Sequence, residues 1–158
     1  MNCFLIPLTI FALVGAGVVT GLLFAFSNFV MRALGEIQAD QGALAMQRIN
    51  AHIINPVFLL FFLVTPLACA FIVFQTLGNI SAPGYPMLTA GAILYLIGPF
   101  AITVMKNVPL NNKLASLEAE EAASYWPAYR KTWQLWNHIR SYLGILSLAC
   151  LASGLSSL

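Results

Sequence analysis

The chain has 158 residues, of which 60% are hydrophobic and only 8% charged, and its formal net charge is +2. Soluble domains carry about 25% charged residues, so this composition excludes a soluble monomer and describes a single integral membrane domain, residues 1–158. The small net charge, the lack of a glycine-rich phosphate loop and the lack of a basic stripe exclude a nucleic-acid partner. Cys3, Cys69 and Cys150 are scattered and form no CxxC pair, so neither a zinc site nor a disulfide framework is expected.

A membrane-crossing helix needs about 20 mostly apolar residues. Four stretches qualify, at 4–30, 56–77, 86–106 and 134–156. The first has no basic segment before it and exceeds the apolar core of a signal peptide, so it reads as a retained span. The runs are continuously apolar rather than alternating, which argues against strands. The fold class is therefore all-α: a membrane four-helix bundle with amphipathic helical connectors on one side. In the first span Gly17 and Gly21 have small-xxx-small spacing. That predicts a close helix–helix contact, either within the chain or in a homo-oligomer.

Asn55 before Pro56 is good chemistry for capping the second span. "GNISAPGY" makes a short turn between spans two and three. Asn107 and Pro109 are expected to stop the third span, with Asn111 and Asn112 building a turn. Ser116 is expected to cap the connector helix that follows, and Pro127 to kink or divide it. Every Lys, Arg, Asp and Glu lies on the side of the two long connectors. By the positive-inside rule the connectors are cytoplasmic and both termini lie opposite.

Polar residues gather at that same end. His52 and Asn55 enter span two there, Lys106, Asn107, Asn111 and Asn112 leave span three, and "WNHIR" opens span four. Ionisable residues within a membrane are costly and point to function. Bland readings stand beside this one: Trp133 and Trp136 as interfacial anchors, Arg140 as a snorkelling side chain. At about 100° per residue, Trp133, Trp136, Asn137, Arg140 and Gly144 form one stripe and His138 points away from it. Asn111, Asn137 and Arg140 are expected to line a pocket with Trp136 as an apolar wall. His52 becomes the better histidine for chemistry.

"FSNFVMRAL", "NAHIINPVF", "NVPLNNKL" and "WNHIRSYLG" together resemble the anthrone oxygenase-like family of small membrane proteins, over most of the chain. The resemblance implies oxidation of a polycyclic anthrone by O2 without an added metal or flavin. It places the site at His52, Asn107, Asn111, Asn137, His138 and Arg140. In that reading His52 removes the acidic benzylic proton. Arg140 and Asn137, with Asn111, hold the developing enolate oxygen. Asn107, Trp136 and His138 complete the substrate site, and an apolar aromatic substrate enters from the bilayer. Two other readings stay open: a non-enzymatic membrane binding or accessory protein, and a haem protein with His52 and His138 as axial ligands.

Overall fold

A computed structural model describes residues 4–158; Cys3 lies outside them. The described chain forms five helices and no strand. They are α1 (Leu5–Glu36), α2 (Ala39–Ile53), α3 (Pro56–Leu77), α4 (Tyr85–Ala115) and α5 (Ala119–Ser156). All but α2 are long and apolar enough to cross a membrane, which is the architecture of an integral membrane protein.

The connections are short and follow local chemistry. The α2–α3 corner is set by Asn55, whose side-chain oxygen accepts from the Val57 and Phe58 amides, each at 3.1 Å. Pro56 follows as the first helical residue, where a missing N–H costs nothing. Gly84 takes φ +76° as the chain turns into α4, a backbone that suits glycine alone.

Two expected helix ends do not occur. Asn107 and Pro109 leave α4 uninterrupted to Ala115. Pro99 lies inside a widened, π-type stretch over Leu96–Asn107, and such adjustments let proline sit within a membrane helix. Pro109 then falls in the first turn of the α-helical segment that resumes at Val108, where its ring is tolerated. Pro127 likewise does not divide α5, which runs unbroken for 38 residues. Ser116 closes α4 instead of opening α5: its hydroxyl donates to Lys113 O at 2.9 Å, and Glu118 precedes the first turn of α5.

Two cores result. One, between the spans, contains Ala12, Ala16, Val19, Cys69, Ile72, Leu88, Tyr95 and Leu151. The other lies under the connectors, around Met31, Met46, Leu114, Trp126, Tyr129 and Trp133. Helix α5 belongs to both. The Phe4–Phe71 ring contact at 6.1 Å and the approach of Gly84 to Gly154 gather the start of α1, the α3–α4 turn and the C-terminus at the opposite end.

Close packing of α1 uses a different glycine from the expected pair. Gly15 is buried, and a Cβ added to it would run into the Thr65 hydroxyl of α3. Gly17 and Gly21 have nothing within 4 Å of such a Cβ, so the expected intrachain contact is absent there. Overpacking a core costs about 1–3 kcal/mol. Gly15→Ala should therefore lower the thermal unfolding temperature measurably, while Gly17→Ala should leave it unchanged or raise it slightly. Equal effects of the two changes would contradict this packing.

Candidate functional site

The site begins with a cation that has no acid beside it. Arg140 on α5 is 4% exposed, and the one salt bridge among the described residues is the exposed Arg32–Glu36 pair. A buried charge is costly unless its hydrogen bonds are met. Neutral groups meet them here. Asn137 Oδ1 accepts from Arg140 Nε at 3.0 Å and Nη2 at 2.8 Å, and Thr103 Oγ1 accepts from Nη1 at 2.7 Å. The Trp133 ring lies against the guanidinium, 5.1 Å from Cζ, where the ring's negative face favours a cation.

Each partner is itself fixed. Asn137 is fully buried and donates to Leu23 O at 2.8 Å and to Ser27 Oγ at 2.7 Å. The flanking stretch Phe26–Val30 of α1 is a widened turn. Ser141 donates to Asn137 O and meets Ser27 Oγ at 3.1 Å. Thr103 donates to Pro99 O at 2.5 Å, which leaves its lone pairs free to accept from Arg140. Asn111 Oδ1 accepts from Tyr129 OH at 2.9 Å and from Trp133 Nε1 at 2.8 Å, and Asn107 donates to Trp133 O at 3.2 Å. The two asparagines thus hold the tryptophan that lies on the arginine.

Arg140 borders a cavity of about 260 Å³ enclosed by all five helices. Ligand sites typically run from about 300 Å³ upward, so this one suits a small ligand. Most of the wall is apolar, with Leu22, Phe26, Met46, Phe58 and Phe62 among its residues. Its polar members are Asn50, Thr103, Asn111, Asn112 and Arg140. The wall reaches the surface at Ile54, 69% exposed, and at Asn112, also exposed.

The residues named from sequence therefore separate. Arg140 and Asn111 line the cavity. Asn137 and Asn107 stand behind it as positioning residues. Trp136 is not part of the wall: it stacks under the Lys106 ammonium at 5.0 Å, and Trp133 takes the role expected of it. His138 is half-buried and also outside the wall. His52 is exposed and does not line the cavity either. Met46, Ile49, Asn50 and Ile53 of α2 do, at helical spacing i, i+3, i+4 and i+7. His52 is turned about 110° from the middle of that stripe and is exposed, so it does not share with Arg140 the cavity that a base role requires. Among the described residues no group of His, Cys, Asp and Glu gathers at metal-binding distance.

Comparison with known families decides the membership. The chain matches the anthrone oxygenase family over residues 45–150. The chain belongs to the anthrone oxygenase family. The match spans the second half of α2 through most of α5 and so includes Asn50, Thr103, Asn111, Asn137 and Arg140. No curated protein and no solved structure matches the chain.

The support around Arg140 can be tested by itself. Asn137→Ala removes two hydrogen bonds to a buried cation, each of a kind that contributes about 1.5–3 kcal/mol. It should lower the unfolding temperature strongly. Asn137→Asp supplies a carboxylate to the guanidinium but loses the donors to Leu23 O and Ser27 Oγ, so it should recover only part of that loss. An Asn137→Ala protein as stable as the parent in a thermal-shift assay would contradict the network.

Proposed function

We propose that the protein is a membrane-embedded, cofactor-independent oxygenase that binds the enolate of an anthrone-type polycyclic ketone against Arg140 and lets it react with O2. The observation that supports this most is the buried guanidinium with no carboxylate partner. Of the five N–H donors of an arginine, three are engaged by Asn137 and Thr103. One N–H on each Nη remains for a ligand, at the wall of an apolar cavity. A preorganised donor placed where negative charge develops is worth more in such a site than in water.

The reaction needs a carbanion first. An anthrone carries an acidic carbon across the central ring from its carbonyl, and loss of that proton moves charge to the carbonyl oxygen. Arg140 holds that oxygen and so favours the ionised form, and the proton passes to water at the open mouth beside Asn112. The carbanion gives an electron to O2 and the pair combines as a peroxide, forming one C–O bond. Protonation gives the hydroperoxide. Breaking its O–O bond and the remaining C–H bond at that carbon yields the quinone and one water. Anthrone and O2 thus become anthraquinone and water, with no outside reductant.

His52 and His138 have no part in these steps, because neither borders the cavity. The family membership supports oxygenase chemistry, and the aromatic wall supports a planar apolar substrate that partitions into the bilayer. The end of the bundle that carries the connectors faces the cytoplasm in this reading.

Oxygen uptake by the purified protein with anthrone tests the proposal. Removing one such donor group typically costs about 10²–10³-fold in rate. Arg140→Gln should lose activity on that scale, whereas His52→Ala should keep most of it. A wild-type protein that consumes no oxygen with anthrone, or an active Arg140→Gln variant, would remove the proposal. Orientation is tested separately by single-cysteine labelling of intact cells: position 113 should label only after the membrane is opened, and position 79 from outside.

A further inference from the structure

Helices α3 and α4 separate at the level of the cavity. Helix α3 packs closely on the first part of α4 but loosely on the widened stretch Leu96–Asn107, which stays packed on α5. Small residues hold it there. A Cβ added to Gly98 would collide with Leu143 of α5, and one added to Gly144 of α5 would meet Thr20 and Pro99. The missing side chains let this part of α4 lie against α5, and the seam between α4 and α3 is left less well filled.

Three rings bridge that seam. Phe62 of α3 packs on Phe100 of α4 at 5.5 Å, and Phe58 stacks on Phe62 at 5.4 Å, 15° from parallel. Phe58 and Phe62 also line the cavity. Nearer the connectors no ring crosses the seam among the aromatic pairs of the described residues. There the cavity rim consists of Ile54, just before α3, with Val108 and Asn112 of α4, and all three reach the surface. Val57, Val104 and Met105 beside them are exposed as well. Exposed apolar residues gathered at one place mark contact with an apolar phase, and here they lie where two spans meet the membrane boundary. Asn112, one turn beyond Val108, is the polar side of the rim.

We propose that the gap between α3 and α4 is a portal from the bilayer for flat aromatic molecules, with the Phe58–Phe62 stack on one side and Val108 on the other. The inference rests on the oxygenase reading and deepens it, because it gives the route by which the substrate arrives. Stacked ring faces favour a planar ligand over a bulky one, and they lead inward toward Arg140. The rim divides the traffic. The ketone enters from hydrocarbon past Val108, and the proton it loses leaves to water beside Asn112. Val108 is then a residue of passage and selection, not of chemistry.

Two measurements in nanodiscs test this. The first uses Val108→Cys and Asn112→Cys, each in a chain whose three natural cysteines are replaced by alanine, carrying a spin label. Collision with O2, which dissolves in hydrocarbon, is compared with collision with a nickel chelate, which stays in water. Position 108 should favour O2 and position 112 the chelate. A label at 108 that meets the chelate more readily than O2 would overturn the portal while leaving the oxygenase reading in place. The second follows anthrone binding under nitrogen by quenching of tryptophan fluorescence, since Trp133 lines the cavity. Val108→Phe narrows the gap, and association and dissociation should both slow about tenfold, with affinity changed less than about twofold. Val108→Ala should slow neither. A residue that only touches the bound ligand alters dissociation and leaves association nearly unchanged. That result for Val108→Phe, or no change in either rate, would overturn the portal as well. A wild-type protein that binds no anthrone would remove the oxygenase reading, and the portal with it.

Discussion

One guanidinium, buried where no acid can reach it, sets the terms for the rest of the molecule. Arg140 lies within a helix that is otherwise apolar beyond it, and its charge is balanced only by dipoles. Dipoles satisfy hydrogen bonds without neutralising the cation. The charge therefore remains available, and the protein must hold the dipoles rigidly to keep it so. Asn137 is tied to α1 through Leu23 and Ser27, and Thr103 is tied within α4 through Pro99. Both irregular stretches, at Phe26–Val30 and Leu96–Asn107, contain or adjoin these contacts. Widened helical turns are often found at functional sites, and here they accompany the arginine's support.

Helix α5 converts this local arrangement into an architecture. Its second half packs among the spans through Gly144, Ser147 and Leu151. Its first half packs under the connectors through Trp126, Tyr129 and Trp133. Arg140 sits where the two regimes meet. The α2–α3 corner closes the cavity from the other side. The Asn55 cap and Pro56 end one helix and begin the next, so that α2 can cover the mouth while α3 enters the bundle. Trp133 contacts Phe26 at 5.5 Å and Tyr129 at 6.4 Å, which couples the cavity wall to the connector core. A rigid polar site in an apolar surround is what preorganised catalysis requires.

The spans were legible because a hydrocarbon environment permits few alternatives: about 20 apolar residues have to be a helix. The cap at Asn55 and the stripe of Trp133, Trp136, Asn137, Arg140 and Gly144 were legible for the same local reasons of backbone chemistry and helical phase, although Trp136, at the edge of that stripe, stays outside the cavity wall. Other features depended on tertiary context. Pro109 and Pro127 are helix breakers by propensity, yet each is absorbed, the first by a new turn and the second within α5. Gly17 and Gly21 have the spacing of a packing motif, but burial selects Gly15, a distinction that spacing cannot make. The preference for His52 came from the phase of the last span, which turns His138 away from Arg140 and says nothing of which face α2 turns inward. The pattern of Met46, Ile49, Asn50 and Ile53 marks the inward face of α2, and it places Asn50 inside and His52 outside. Thr103 and Ser27 had no signal of their own, because a hydroxyl in an apolar span becomes informative only when its partner on another helix is known.

The central claim is that Arg140 keeps enough free charge to favour an anion inside an apolar cavity. The opposing effect is desolvation, which by itself favours the neutral ligand. The sign of the shift in a bound ligand's ionisation decides between them. Anthrone is titrated under nitrogen with the purified protein in nanodiscs, and the visible absorbance of its enolate is followed against pH. The enolate should appear at a pH lower by about one unit or more than in empty nanodiscs, a difference worth about 1.4 kcal/mol per unit. In Asn137→Asp, whose carboxylate neutralises the guanidinium, the shift should disappear. An enolate that forms at the same or a higher pH in the wild-type cavity would contradict the account.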